Sequence, residues 1–353
     1  MKKYLERELN PLTFAANQTS TLQLPRDYSY DRIFFRLKGT VYRGVGASAG
    51  KPKDLSLAHL VRRIEIRKNG REVIKSIDMA TLMRINQIMY GTLPKYKQTV
   101  YNAIFGSGAA ITNQWDDYAA VTTGANAHDF DICAVLDLGM PRASRRNDTL
   151  LDSTARGGVS TLDLIITWGA ANDVMTAAYG ASGTGVAFDL TPTLAIATGE
   201  YIDIDSPDDP YTPYSVFKQY GIQKAITATN TKEQIEIGVG NFYRGFVLKT
   251  YADDVQSDTI LNNITLRSGT DVIKLRSAMA LQGDNKLEYG LETWPTGYYF
   301  LDLVHDGHLA KMLNTSNLSS LTLELDVTKR GTNCFVEVFP MEVTAAPVVR
   351  KAG

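Results

Sequence analysis

The sequence predicts an all-β protein made of two tandem domains, on three observations. A strand–turn–strand block occurs twice, roughly 200 residues apart, a spacing far beyond the 20–50 residues of a solenoid unit. Short runs rich in β-branched and aromatic residues recur along most of the chain, separated by Gly and Asn turns, as in sandwiches and barrels. Three prolines within the segment Pro207–Pro213 separate the halves, where neither a helix interior nor a central strand is possible.

The repeat is legible residue by residue. Ile64-Glu65-Ile66-Arg67-Lys68-Asn69-Gly70-Arg71-Glu72-Val73-Ile74-Lys75 is matched by Ile264-Thr265-Leu266-Arg267-Ser268-Gly269-Thr270-Asp271-Val272-Ile273-Lys274, one residue shorter. Downstream, Tyr90-Gly91 falls on Tyr289-Gly290, and Val135-Leu136-Asp137-Leu138 on Phe300-Leu301-Asp302-Leu303. Ser160-Thr161-Leu162-Asp163-Leu164 falls on Ser319-Ser320-Leu321-Thr322-Leu323. Preserved order implies a duplicated domain, with Asn69-Gly70 and Gly269 as equivalent hairpin turns.

In chain order, residues 1–12 read as a short amphipathic helix, with Leu5, Leu9 and Leu12 spaced four and three apart and Pro11 ending it. Residues 19–45 are strand-like, notably Ile33-Phe34-Phe35-Arg36-Leu37. Residues 44–54 form a loop, and a hairpin spans 60–77. Asp78 N-caps a helix whose Met79, Leu82, Met83 and Met89 share a face and which Gly91 stops. A second helix starts near Pro94 and carries Tyr96, Val100, Tyr101 and Ile104. Residues 106–129 form a long Gly-, Ala- and Thr-rich excursion, and strands return at 130–138, 160–168, 186–190 and 194–204. Beyond the proline segment come strands at 215–228, 234–238, 243–251, 260–267, 271–276, 298–304, 320–328 and 333–343. The expected domains are an N-terminal arm, 1–18; a first β domain, 19–205; a linker, 206–214; and a second β domain, 215–353.

Composition narrows the function classes. The 353 residues exceed one ordinary core, and 44% apolar with 21% charged content is that of a globular protein. A net charge of −1 gives no general attraction to nucleic acid or an anionic surface. Cys133 and Cys334, one in each half, read as small buried hydrophobes rather than a disulfide framework. The basic start Met1-Lys2-Lys3 is followed by Tyr4-Leu5-Glu6-Arg7-Glu8, which is not a signal core, and no window suits a membrane helix.

No motif makes a convincing catalytic or metal centre. Gly46-Ala47-Ser48-Ala49-Gly50 matches the Gly-x-Ser-x-Gly elbow, but Lys51-Pro52-Lys53 cannot begin the helix that elbow needs, so Ser48 reads as a loop residue. His305-Asp306-Gly307-His308 lacks a third ligand and reads as a turn in which Asp306 caps a helix carrying Leu309, Met312 and Leu313 inward. Asp203, Asp205, Asp208 and Asp209 lack the glycine and distal glutamate of a calcium loop. Gly180–Gly185 has no following lysine, and Arg142-Ala143-Ser144-Arg145-Arg146 reads as a loop paired with acidic neighbours. No cofactor, catalytic or metal residue is expected.

Two β domains, long polar loops, an N-terminal arm and no active site describe a building block. On Asn147-Asp148-Thr149-Leu150-Leu151-Asp152, Ser160–Gly169, Gly297–Leu303 and Ser320–Val327, the chain resembles the double jelly-roll, hexon-like major capsid proteins of tailless, membrane-containing icosahedral bacteriophages. The resemblance implies two tandem eight-stranded jelly rolls with short helices in the connections. It implies pseudo-hexagonal homotrimers tiling an icosahedral virion shell over an internal lipid membrane, a structural protein without enzyme activity, and assembly in the host cytoplasm. Implied partners are the chain itself, neighbouring trimers and minor or vertex proteins. The internal membrane is met through the N-terminal arm, and no specific nucleic acid is bound. Within that arm, Lys2, Lys3, Leu5, Arg7, Leu9 and Leu12 are the expected membrane or subunit contacts, and the sandwiches should fold without it. A different class, a two-jelly-roll carbohydrate-active enzyme such as the peptide N-glycosidase family or a sugar-binding sandwich, needs paired carboxylates and aromatic platforms. With only three Trp beside 18 Tyr, and no carboxylate pair, the sequence favours it less.

Overall fold

The computed structural model describes residues 3–43, 53–91, 128–154, 158–174, 186–202, 214–253, 255–304 and 306–345. The first half carries β1 (Lys3–Thr13), β2 (Thr19–Gln23), β3 (Ser29–Arg43), β4 (Val61–Lys68), β5 (Glu72–Ile77), α1 (Met79–Tyr90), β6 (His128–Asp137), β7 (Leu151–Asp152), β8 (Leu162–Trp168) and β9 (Val186–Ile202). The second carries β10 (Tyr214–Tyr220), β11 (Ile222–Ala225), β12 (Asn230–Ile237), β13 (Phe242–Ala252), β14 (Val255–Gln256), β15 (Leu261–Ser268), β16 (Asp271–Ser277), α2 (Ala278–Tyr289), β17 (Tyr298–Asp302), β18 (Leu313–Asn314), β19 (Leu321–Val327) and β20 (Cys334–Ala345).

Each half is a jelly roll. In the first, the strands run β1-β9-β3-β6 in one sheet and β2-β8-β4-β5 in the facing one, so the chain crosses repeatedly between sheets. The second repeats this order: β10 and β11 on β20, then β13 and β17, facing β12-β19-β15-β16. The expected strands at 186–190 and 194–204 are one strand, β9. Pro192 is tolerated inside it because the register with β3 slips there, between Lys38 and Thr40. In β8 and β19 buried and half-buried residues alternate, which places Leu162, Leu164, Ile166 and Trp168, and Leu321, Leu323, Leu325 and Val327, in the two cores.

The duplication extends to individual hydrogen bonds. Ile64 on β4 lies opposite Ile166 of β8, and Ile264 on β15 lies opposite Leu325 of β19. The two hairpins turn through left-handed residues, Asn69 and Gly70 in one and Gly269 in the other. Both helices follow their hairpin at once. Asp78 accepts from the Thr81 amide at 2.8 Å and Ser277 from the Ala280 amide at 3.3 Å, while Gly91 and Gly290 close the helices in the left-handed conformation. At the last helical residue, the Tyr90 hydroxyl donates to Asp137 at the end of β6, and the Tyr289 hydroxyl to Asp302 at the end of β17. Tyr30 and Tyr243 each donate to the carbonyl five residues back, that of Pro25 or Gly238.

The sequence does not announce α2. Its inward residues are Ala278, Leu281, Asn285 and Tyr289, whereas Met279 and Leu287 face outward at 84% and 87% exposure. A helix with so thin an apolar stripe carries little of the 3.6-residue signal. Residues 94–104, expected to be helical, lie outside the described residues.

One helical asparagine in each half secures the free edge of the neighbouring sheet. Asn86 donates from Nδ2 to the Val135 carbonyl at 2.7 Å and accepts from the Val135 amide at 2.8 Å. Asn285 makes only the first type of bond, to the Phe300 carbonyl at 3.0 Å. Asn86→Ala should therefore cost about 2–4 kcal/mol, since it strands two backbone groups, and Asn285→Ala about half of that. Urea unfolding of the two variants checks this; equal losses would contradict it.

Residues 3–13 correct the expected helical arm. They form β1, the edge strand of the first jelly roll, antiparallel to β9 from Lys3↔Ile202 to Thr13↔Thr193. Leu5 and Leu9 share one side of the strand because they are an even number of residues apart, and a register slip between Leu9 and Leu12 turns Leu12 to that side as well. Leucines spaced four and three apart thus suit a bulged strand as well as a helix, and the long edge of β9 decides the outcome. Leu9 and Leu12 pack against the first core. Arg7 contacts Asp27 at 3.3 Å and Glu200 at 3.6 Å. Lys2 and the Lys3 side chain lie outside the described residues.

Candidate functional site

Those motifs weighed in the sequence that fall among the described residues take part in turns and ion pairs. Ser48, Gly180–Gly185, the aspartates at 203–209 and His305 lie outside the described residues. Among the described residues no three His, Cys, Asp or Glu side chains gather as a metal site would require. Asp306 accepts from the His308 amide and pairs with Lys311, but it is not the expected cap: the element is a short 3-10 turn over Leu309–Lys311 with His308 at its N-cap and no side-chain cap bond, burying Leu309 and, just beyond it, Met312, with Leu313 half-buried. Arg146 bridges Asp31 and Asp137, and Arg142 lies over the Tyr289 ring, so these members of the basic run are held within the protein. Cys334 is buried as expected, while Cys133 is only half-buried, on the outward side of β6. Two shallow depressions of about 460 and 420 Å³ flank β16 and α2. In the first, Glu324 faces Arg267 at 3.4 Å and Asp326 accepts from Asn262 and Asn263; in the second, Asp284 pairs with Arg276 at 3.2 Å.

The unusual chemistry lies in the seam between the jelly rolls. β10 runs parallel to β5, pairing Gln219 with Lys75 and Tyr220 with Ser76, so a sheet of one roll continues into a sheet of the other. The consequence is visible in β13. Phe242–Thr250 is buried on both faces, whereas β3, its counterpart, alternates buried and accessible residues over Asp31–Lys38. One face of β13 looks into its own core. The other, with Val247 and its neighbours Phe300 and Phe339, joins the hydrophobic cluster of the first roll.

Two lysines sit in this seam. Lys75 is fully buried, and its ammonium lies 3.2 Å from the centre of the Phe217 ring contributed by β10. Burial pushes its pKa well down. Lys249 of the second roll donates to the Thr81 hydroxyl at 2.9 Å and lies 3.8 Å from both Asp78 and Glu337. Burial works against its charge, but Asp78, Tyr298 and Glu337 outweigh it and raise the pKa. Burial likewise opposes ionised Asp78, yet Lys249 and the Thr81 hydrogen bonds keep its pKa low. For Glu337 burial prevails over Lys249 and lifts the pKa to about 7. His59, close by, is shifted down by burial. Helix α1, capped by Asp78, is thereby anchored to the other roll. Sequence reasoning found Asp78 as a cap and noted Lys75 inside the repeat. It missed Lys249 and Phe217, because nothing local in a strand reveals what lies against its outer face.

The seam makes the two rolls one object: a duplicated sandwich joined edge to edge, with its charged groups used for packing. Comparison with solved structures finds a similar fold over nearly the whole chain. The STIV MCP, from Sulfolobus Turreted Icosahedral Virus, is 13% identical, with 99% of each chain covered and a TM-score of 0.69. The chain has the double jelly-roll fold of viral major capsid proteins. The major capsid protein P2 from Bacteriophage PM2 shares it at 12% identity, 99% coverage of each chain and a TM-score of 0.56. The Faustovirus major capsid protein shares it at 9% identity, covering 98% of this chain and 91% of its own, with a TM-score of 0.60. No family model matches the sequence, and no curated protein matches it.

Proposed function

We propose that this double jelly roll is the major capsid protein of an icosahedral virus: a structural protein, not an enzyme, located in the virion shell and assembled in the host cytoplasm. The observation that carries the reading is the duplicated jelly roll whose halves are fused through a continuous sheet, a fold shared end to end with capsid proteins. Three copies, each bringing two similar sandwiches, give a trimer with six similar corners, the shape that tiles a shell. The trimers neighbour one another and minor vertex proteins over an internal lipid membrane.

Of the residues expected to make contacts, Lys2 lies outside the described residues, and Lys3, Leu5, Arg7, Leu9 and Leu12 belong to a strand. Leu9 and Leu12 are engaged in their own core. The contact therefore falls to the outward side of β1, and it is a subunit contact rather than an amphipathic helix on lipid. The carbohydrate-enzyme reading gains no support, because the carboxylates Glu324 and Asp326 in the depression beside β16 are held by Arg267, Asn262 and Asn263.

Light scattering and negative-stain microscopy of the purified chain test the proposal. Trimer mass and hexagonal outlines or shell fragments are expected. Monomers alone, at micromolar concentration in several buffers, would overturn it.

A further inference from the structure

We infer that Lys249 and Asp78 condense after folding to an isopeptide bond that ties the two jelly rolls together across the seam, with Glu337 as the acid and base of the reaction. The bond depends neither on the capsid reading nor on a second copy of the chain. Lys249 lies in β13, where the ladder sets Glu337 of β20 opposite it on one side and Tyr298 of β17 on the other. Its ammonium reaches the first roll. There it donates to the Thr81 hydroxyl at 2.9 Å and lies 3.8 Å from Asp78, while Glu337 stands 3.8 Å away. Lys249 is only 8% exposed, and the Tyr251 ring lies 5.4 Å from its ammonium. An ion pair needs one carboxylate, but this amine faces two. Burial keeps the proton on one of them, Glu337, up to a pH of about 7. The two oxygens of Asp78 are also distinguished. Oδ1 accepts from the Thr81 amide at 2.8 Å at the start of α1, while Oδ2 faces Lys249.

At rest Lys249 and Asp78 form an ion pair. A neutral amine beside a neutral acid holds the same protons, and desolvation favours that neutral pair. One proton passes from Nζ to Oδ2. The Nζ lone pair then attacks Cγ of Asp78, and Oδ1 takes the negative charge, which the Thr81 amide already faces. Glu337 accepts a proton from the nitrogen and delivers one to Oδ2. The Cγ–Oδ2 bond breaks, Oδ2 leaves as water, and Oδ1 remains as the amide carbonyl that still caps α1. Nothing is oxidised or reduced. Fixed proximity supplies the drive that such a condensation lacks in open water. Both cysteines are free, so this amide is the covalent tie between rolls that no disulfide provides, and closing so long a loop restricts the unfolded chain.

Intact mass spectrometry of the folded chain after prolonged incubation at neutral pH tests the bond. The wild type should be one water lighter than its sequence. Trypsin should leave a branched peptide in which Ser76–Arg84 is joined through Asp78 to Lys249, with no cleavage after Lys249. Glu337→Gln and Lys249→Arg should keep the full sequence mass while circular dichroism holds. Asp78→Ser, which retains a cap for α1, should keep it too. A folded wild-type chain at full mass would overturn the inference. So would a loss of water that persists in Lys249→Arg with linear peptides only, the mark of ring closure between Asp78 and the Met79 amide. A branched peptide forming in Glu337→Gln as fast as in the wild type would overturn the role given to Glu337.

Discussion

Deleting residues 1–12 should abolish the folded first jelly roll, giving insoluble chain or a product with its cooperative unfolding transition lost. β1 closes one edge of its sheet along residues 193–202 of β9, with nine registered pairs from Lys3↔Ile202 to Thr13↔Thr193. Without it, a 17-residue strand would present a long unpaired edge, a template for aggregation. The core would also lose the cover of Leu9 and Leu12. Full burial of such a side chain contributes about 1.5–3 kcal/mol, so even half of that for each is a sizeable part of a net stability of about 5–15 kcal/mol. Solubility, circular dichroism and limited proteolysis of the truncated chain decide the matter. A soluble protein with an unchanged thermal midpoint would restore the view of these residues as a dispensable arm.

Replacing Lys249 with methionine should cost about 3–5 kcal/mol, the usual consequence of removing one member of a buried charged group. Methionine keeps much of the length of the side chain but leaves Asp78 and Glu337 facing a desolvated seam, and it leaves the Thr81 hydroxyl without its donor. Adding Glu337→Gln should recover part of the loss, since one uncompensated carboxylate is then gone. Urea unfolding of the two single variants and the double variant measures the coupling; strict additivity would mean that the two groups do not interact.

The same pair predicts a pH dependence. Glu337 has a folded pKa of about 7, above the ordinary glutamate value, so the folded state holds this proton more tightly than the unfolded chain. Its contribution is present below the unfolded pKa and lost as pH rises through about 7. His59, shifted down, works in the opposite direction in that window, gaining as pH rises. Asp78, shifted down from an already low value, changes only in stronger acid. Glu337→Gln isolates the first effect: its thermal midpoint relative to wild type should rise between pH 5 and pH 8. A difference independent of pH would show that Glu337 does not titrate there.

Much of the architecture was legible because it is written in local signals. Asn69-Gly70, Asp78, Gly91 and the alternation in Leu162–Trp168 each act over a few residues, so their turn, cap, stop and strand appear where expected. The duplication was legible because positions such as Tyr90 and Tyr289, or Asp137 and Asp302, make the same bond in each roll and so keep their residue types. The candidate site was not. Lys249 and Phe217 matter for what packs on them from the other roll.

The sequence by itself determined that there are two domains, that they are β domains related by duplication, and where the equivalent hairpins and the first helix lie. Only the tertiary structure decided that residues 3–13 are a strand, since the 4–3 leucine spacing fits both a helix turn and a bulged strand and the free edge of β9 supplies the missing partner. Only the tertiary structure decided that α2 is a helix despite its outward Met279 and Leu287, held instead by Asn285 and Tyr289 reaching β17. And only it showed that β5 pairs with β10 of the other roll while its duplicate, β16, pairs only with β15 among the described residues. That difference resides in a relation between residues 75 and 219 that no local pattern in either segment contains.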